Sequence, residues 1–233
     1  MARKKMMTTK YEIIQTASEC FMKYGYSGTS PNMIAKKLGI STGNLTYYYP
    51  TKEHLLCVIV KMLCDFQWHL VESEADRGIG SVASICLETM TVATACAESE
   101  VARDLFVSVF QSEICRNYLR DNHARRAKKI FAKQCADWSN EKFQAVELLV
   151  KGLQYAAIVP TDANIPVKMR IAGALHQILG MYNVAEDVRQ KEIDRVLAME
   201  CRSISKQVWQ EFIGYVERTN QQHIEALKGD RLC

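Results

Sequence analysis

Apolar residues recur at intervals of three and four through almost the whole of this 233-residue chain. Alternating apolar and polar runs bounded by turn formers do not occur. The first pattern buries one face of an α-helix, and the second would be needed for a half-buried strand, so the chain must fold as an all-α protein. Helix breakers are scarce, with four prolines and eleven glycines. Where they fall therefore sets where helices end. An apolar fraction of 48% with ordinary charge content excludes disordered and collagen-like classes.

The breakers crowd into the first fifty residues. Ile14, Ala17, Phe21 and Tyr24 share one helical face, and Gly25 supplies a stop, which predicts a helix over 9–24. Thr29 and Ser30 offer capping hydroxyls before Pro31, and the stripe Met33, Ile34, Leu38 ends at Gly39, predicting a short helix over 29–38. After the Gly39–Ile40 turn, Ser41 caps a third helix running to Tyr48, and Pro50 and Thr51 end it and open a fourth, which runs to about Ser73 with Leu56, Ile59, Leu63, Phe66 and Leu70 on one face. Residues 76–80 read as a loop. Further helices are expected over 81–97, 100–112, 114–138, 140–158, 166–184 and 188–226, with Pro160 and Pro166 bracketing a loop.

Charge is distributed as unevenly as the breakers. Residues 1–60 hold eight basic groups, Arg3, Lys4, Lys5, Lys10, Lys23, Lys36, Lys37 and Lys52, against three acids, a net of +5; the remainder carries a net of −1. A cationic quarter joined to a neutral body is the footprint of a polyanion-binding module. Two short helices joined by a glycine turn within that quarter form a helix-turn-helix. The second helix presents Ser41, Thr42, Gly43, Asn44, Thr46, Tyr47 and Tyr48, which are small, polar or aromatic and carry no charge to repel phosphate. Such a helix fits the major groove, about 12 Å wide, and its N-terminal residues reach base edges. Asn44 is suited to adenine. Of the three consecutive tyrosines, Tyr49 is expected inside and Tyr47 or Tyr48 outside, because neighbours on a helix lie about 100° apart.

These residues resemble the tetracycline-repressor (TetR) family of bacterial transcription regulators. The resemblance rests on Ile14, Ala17, Phe21, Tyr24, Gly25, Tyr26, Thr29, Ser30, Ile34, Ala35, Leu38, Gly39, Ile40, Ser41, Gly43, Leu45, Tyr47, Tyr49, Lys52, Glu53 and Leu55, and covers about residues 9–56. Thr46 departs from the family's usual tyrosine and Tyr48 from its usual histidine. The resemblance implies a DNA-binding domain over 1–56 and a helical regulatory and dimerisation domain over 57–233. It implies phosphate contact at Tyr47 and Lys52, with Thr29 and Ser30 beside them. It further implies a homodimeric repressor that binds a near-palindromic double-stranded DNA operator and is released by a small-molecule effector.

Candidate dimer helices are 166–184, with Ile171, Leu175, Ile178 and Tyr182, and 188–216, with Leu197, Ile204, Val208 and Phe212. Large side chains of the body, Phe66, Trp68, Met90, Phe110, Tyr118, Trp138, Phe143 and Tyr155, are the candidate lining of an effector pocket, and their character favours an apolar or aromatic ligand. Two other classes compete: a helical protein-interaction module, and a DNA-binding regulator answering to a protein partner.

Several chemistries leave no trace. No H-E-x-x-H, G-x-S-x-G, phosphate-loop or dinucleotide pattern occurs, so no enzyme activity, catalytic residue or cofactor is expected. Five scattered histidines and nine cysteines without a C-x-x-C pair argue against a metal site and for reduced core thiols, with Cys233 the most reactive. With no apolar run long enough to span a bilayer and no signal-peptide pattern, a cytoplasmic, membrane-free protein is expected.

Overall fold

The computed structural model describes residues 2–76, 80–159 and 164–229. Among the described residues there are eleven helices and no strand: α1 (Ala2–Tyr24), α2 (Pro31–Leu38), α3 (Thr42–Tyr48), α4 (Lys52–Asp76), α5 (Ser81–Glu98), α6 (Glu100–Gln111), α7 (Glu113–Ile130), α8 (Asn140–Ile158), α9 (Val167–Met181), α10 (Glu186–Leu197) and α11 (Cys201–Gly229). Pro160, Cys233 and the middle of the 76–80 loop lie outside the described residues, as do the side chains of Arg3, Lys4 and Lys5.

Serine fixes many of the helix starts. Ser30, Ser41, Ser99, Ser112 and Ser139 each sit in extended backbone and accept the amide N–H three residues on, satisfying a donor that the first turn cannot pair internally. Ser30 rather than Thr29 takes this role in α2, which therefore begins at Pro31.

Three expected helices differ. The first reaches back to Ala2. The helix expected over 114–138 stops at Ile130: at Phe131 the backbone leaves helical geometry, its ring stacks on Tyr182 with centroids 4.3 Å apart, and Cys135 Sγ donates to the Tyr182 carbonyl. The expected 188–226 helix is two helices, α10 and α11, separated at Ala198–Glu200. No proline or glycine marks that break. Ile193, Val196 and Cys201 bury into one core across it, so the apolar period runs on while the backbone turns.

Two apolar cores result. The first joins Ile13, Ile14 and Phe21 of α1 with Ile34, Leu45, Leu55, Ile59 and Phe66, and continues into Leu105 of α6, Cys115 of α7 and Phe212 and Val216 of α11. The second is built by α5, α7, α8, α9 and α10 around Met90, Phe131, Phe143, Ile171, Leu175, Leu179 and Tyr182. All eight described cysteines are free and buried in these cores, and burial pushes the thiols of Cys64, Cys86 and Cys96 up to about 12.

A polar clamp fixes the first three helices to the body. Asp104 of α6 accepts the Ser27 amide at 2.8 Å and the Ser27 hydroxyl at 2.5 Å. Gly25 makes that approach possible twice over. Its φ of +77° is the left-handed region, and a Cβ there would lie 2.6 Å from Asp104 Oδ2. Gly25→Ala should cost at least about 1–2 kcal/mol through backbone strain alone, lowering the melting temperature by about 2–8 °C. An Asp104→Ala background removes the collision. Thermal melts of the four-protein cycle should therefore show costs that combine less than additively, and full additivity would refute the steric account.

Candidate nucleic-acid interface and charged cavity

Within the first core, α2 and α3 form a helix pair whose turn is set by Gly39 at φ +67°, with the Gly39 and Ile40 amides returned to the Lys36 and Ala35 carbonyls. Thr42 Oγ1 donates to Asn32 Oδ1 at 2.7 Å, fixing the two helices together. Leu45 and Tyr49 face the core, and the Tyr49 hydroxyl points at the Lys10 carbonyl. The opposite face of α3 is open: Ser41, Gly43 and Asn44 are exposed, Thr42, Thr46 and Tyr48 half-buried, and Tyr47 is 70% exposed with its ring edge-on to Tyr48. The expected division of the tyrosines holds. Lys36 and Lys37 of α2 are exposed, and Lys37 is paired with Glu19 of α1 at 2.5 Å.

Two residues expected at this surface do other work. Thr29 is 2% exposed and its hydroxyl donates to the Gly25 carbonyl at 2.7 Å, so its side chain faces away from the open surface. Lys52 is half-buried: Nζ donates to the Tyr26 and Thr29 carbonyls, each at 2.9 Å, and lies 4.0 Å from the Tyr26 ring centroid. Desolvation lowers its affinity for a proton, and Asp104 acts in the opposite direction. Lys52 therefore ties α4 to the 26–29 turn. An ammonium has three donors, and two are used here.

The eight side chains expected to line a pocket do not converge on one cavity. Phe66 packs on Phe212 and Tyr215 in the first core. Met90 and Phe143 fill the second core, with Trp138 against Phe143 and Tyr182. Tyr155 stacks on Phe106 and Phe110 packs tilted against both; Trp68 lies beneath Arg126 and Lys129; Tyr118 lies beneath Lys61 and accepts from Asn122. None lines the cavity of about 40 Å³ bordered by α5, α7, α8 and α9.

That cavity is lined instead by ionisable groups which the sequence reading did not single out. Glu88 of α5 pairs with Arg126 of α7. On α8, Glu147 accepts the Tyr182 hydroxyl, and Lys151 Nζ lies 3.8 Å from Glu147 Oε2 and donates to Gln154 at 2.8 Å. Lys151 also contacts His123 Nδ1. A lysine ammonium only donates, so Nδ1 is the acceptor and the imidazole proton sits on Nε2. Three atoms at this cavity are out of contact with solvent and have no hydrogen-bond partner among the described residues: His123 Nε2, Arg126 Nε and Glu147 Oε2. A signal existed in the spacing. Glu147, Lys151 and Gln154 interrupt the stripe of Phe143, Val146 and Val150 that α8 turns inward.

Residues 13–57 match the family model described as "Bacterial regulatory proteins, tetR family". Over 56 residues, 24% of this chain, the sequence is 36% identical to the HTH-type transcriptional regulator RutR of Escherichia coli, covering 26% of that protein. The same length and share of the chain is 39% identical to the HTH-type transcriptional regulator QacR of Staphylococcus aureus, covering 30% of it. A longer stretch of 106 residues, 45% of the chain, is 28% identical to the uncharacterized HTH-type transcriptional regulator YxaF of Bacillus subtilis, covering 56% of it. The matches to RutR and QacR thus span about a quarter to a third of those relatives.

Desolvation first, then the charges of Lys151 and Arg126, hold His123 well below the ordinary imidazole range. A base whose proton affinity is depressed on folding stays neutral in the native state while the unfolded chain takes up the proton. Its contribution is present above the unfolded value near 6.5 and is lost as pH falls below it, at up to about 1.4 kcal/mol per pH unit. Chemical denaturation between pH 7 and 5 should follow that slope, and His123→Gln should flatten it by one proton. An unchanged slope would place His123 elsewhere than in a dry, cationic environment.

Proposed function

With a tetR-family helix-turn-helix at residues 13–57, we infer that the chain is a DNA-binding transcriptional regulator, a repressor that binds its operator as a homodimer and releases it on binding a small molecule. Residues 1–56 serve as the DNA-binding domain and 57–233 as the regulatory and dimerisation domain, acting in the cytoplasm. The observation that carries the reading is the open face of α3. Its first turn is uncharged, with Ser41, Gly43 and Asn44 exposed, and is braced from behind by Leu45 and the Thr42–Asn32 bond. It enters the major groove with Asn44 on a base edge, Ser41, Thr42, Thr46 and Tyr48 on bases or phosphates, and Tyr47 on the backbone. Gly43 lets the chain approach closely. Ser30 and Lys52 flank the same strand, Lys52 with its remaining donor.

One helix of two turns covers too little duplex to be selective, which makes a symmetric pair necessary. Of the stripes expected at the interface, Ile171, Leu175, Ile178 and Tyr182 are buried in the second core and Phe212 in the first, while Leu197, Ile204 and Val208 are half-buried. Apolar side chains face outward on α8 and α9 instead, with Leu148 61%, Leu149 59% and Met169 66% exposed and Ile165 beside them. Gly152 and Gly173 on the same faces have open space around them, allowing close helix approach. This favours a four-helix interface of α8 and α9 with their copies. Each monomer then offers one reading helix, and the half-sites lie about 34–36 Å apart or a multiple of that distance. Effector binding among the body helices shifts α4, and a coupling of about 1–3 kcal/mol changes operator affinity about 5- to 150-fold.

Footprinting on DNA upstream of the chain's own gene should give a near-palindromic protected site, with affinity falling steeply as salt rises, about −0.9 in log–log slope per neutralised phosphate. Asn44→Ala should weaken operator binding about 10-fold or more and relax preference at one base pair per half-site. The pair Leu148→Glu and Met169→Glu should give monomers by sedimentation and lose the footprint. A charged variant that stays dimeric would overturn the interface. An Asn44→Ala protein with parental affinity and base preference would overturn the placement of α3.

A further inference from the structure

The second core contains a cluster that apolar packing does not explain. Two acids, Glu88 and Glu147, and three bases, His123, Arg126 and Lys151, line one cavity from α5, α7 and α8, and three of their buried polar atoms make no hydrogen bond among the described residues: the N–H donors at His123 Nε2 and Arg126 Nε, and the acceptor Glu147 Oε2. Glu147 is itself 4% exposed. Leaving such atoms unpaired is costly, and native interiors rarely do so without a partner.

We propose that this cavity is a recognition site for a small neutral molecule carrying a carbonyl acceptor beside an N–H donor, a carboxamide in the simplest case. The proposal rests on the regulator reading for the consequence of binding, and on the cavity alone for binding itself.

Each part of that chemistry follows from the lining. The ion pair of Glu88 with Arg126 and the closeness of Lys151 to Glu147 leave the cluster without net charge. An anion entering it would meet Glu147 and Glu88, and a cation would meet Arg126, Lys151 and the Nε2–H of His123; either would be desolvated without a free counter-charge. An apolar molecule would leave all three atoms unpaired. A carbonyl oxygen answers the two donors, and an adjacent N–H answers Glu147. Size sets the other limit. At about 10–15 Å³ for each water-sized site, a cavity of about 40 Å³ takes about three such sites, so its occupant has a handful of heavy atoms or is the end of a larger molecule.

The same cluster touches the helix that enters the DNA-binding domain. Arg126 lies over the Trp68 ring of α4, 5.9 Å from its centroid, and Lys129 lies 4.9 Å from it. A ligand that takes the Arg126 Nε–H therefore acts on a side chain already seated on α4.

The test uses the full chain without DNA, titrated calorimetrically with acetamide, acetate and ethylammonium. Acetamide should bind saturably with a Kd on the order of 1 mM, as expected for so small a ligand, and at least 10-fold more tightly than either ion. Glu147→Gln turns the acceptor into a donor and removes one negative charge, so it should invert the order in favour of acetate. Absence of saturable acetamide binding, equal binding of the three probes, or an order unchanged in Glu147→Gln overturns the site. If that variant fails to fold, the order in the parent protein decides. Operator affinity is measured separately with and without saturating acetamide. Binding with no effect on the operator supports the site and counts against effector gating, whereas loss of all operator binding in the parent would sink the regulator reading and leave the titration to judge the cavity.

Discussion

The first three helices have no core of their own. Helices of eight and seven residues such as α2 and α3 are marginal in water, because nucleation costs more than so few hydrogen bonds return. They persist here because Ile34 and Leu45 bury against α1 and α4, and because that apolar cluster extends into Leu105, Cys115, Phe212 and Val216 of the body. The orientation of the open α3 face is consequently a property of the whole molecule. Polar contacts refine it at two points: Asp104 grips the α1–α2 turn from outside, and Lys52 grips its carbonyls from within.

α4 belongs to both halves of the structure. Its first half, from Leu55 to Phe66, lies in the shared apolar core, and Cys64 and Trp68 reach the charged cluster of the body. Apolar contacts made at one end are non-directional and tolerate small sliding, whereas the hydrogen-bonded contacts around Arg126 depend on angle and distance. On the proposed gating, a displacement in the cluster reaches α4 through the Arg126 and Lys129 contacts with the Trp68 ring, and not through a hydrogen bond to α4.

Most of the architecture was legible in the sequence because it rests on local rules. Gly25, Gly39 and the serine caps sit where short-range chemistry requires them, and the helix-turn-helix boundaries follow to within a residue or two. What escaped depends on distant partners. The end of α7 at Phe131 is caused by Tyr182, fifty-one residues on, and the break between α10 and α11 hides because both sides feed one core in an unbroken period. Thr29 and Lys52 have the residue types of phosphate contacts, yet the turn between them recruits both inward. Asp104 carried no signal, since one acid on an amphipathic helix is ordinary. The aromatic residues pose the opposite problem: large side chains on inward stripes fill cores, and only three-dimensional convergence makes them a pocket.

The energy that the proposed effector gating needs has a physical source in the cluster. An effector changes operator affinity only through its difference in binding between two conformations, about 1–3 kcal/mol in typical cases. One buried polar group left unpaired costs about 1–3 kcal/mol, the same size. A ligand that pairs His123 Nε2, Arg126 Nε and Glu147 Oε2 in one arrangement of α4, α7 and α8, and misses even one of them in another, carries the whole required difference without rearranging an apolar core. Dispersion contacts of a purely apolar ligand change little when a wall shifts by a fraction of an ångström. Hydrogen bonds to fixed, dry donors change steeply, which is the physical reason for placing the sensitivity of the fold at its charged cluster and its rigidity at its aromatic stacks.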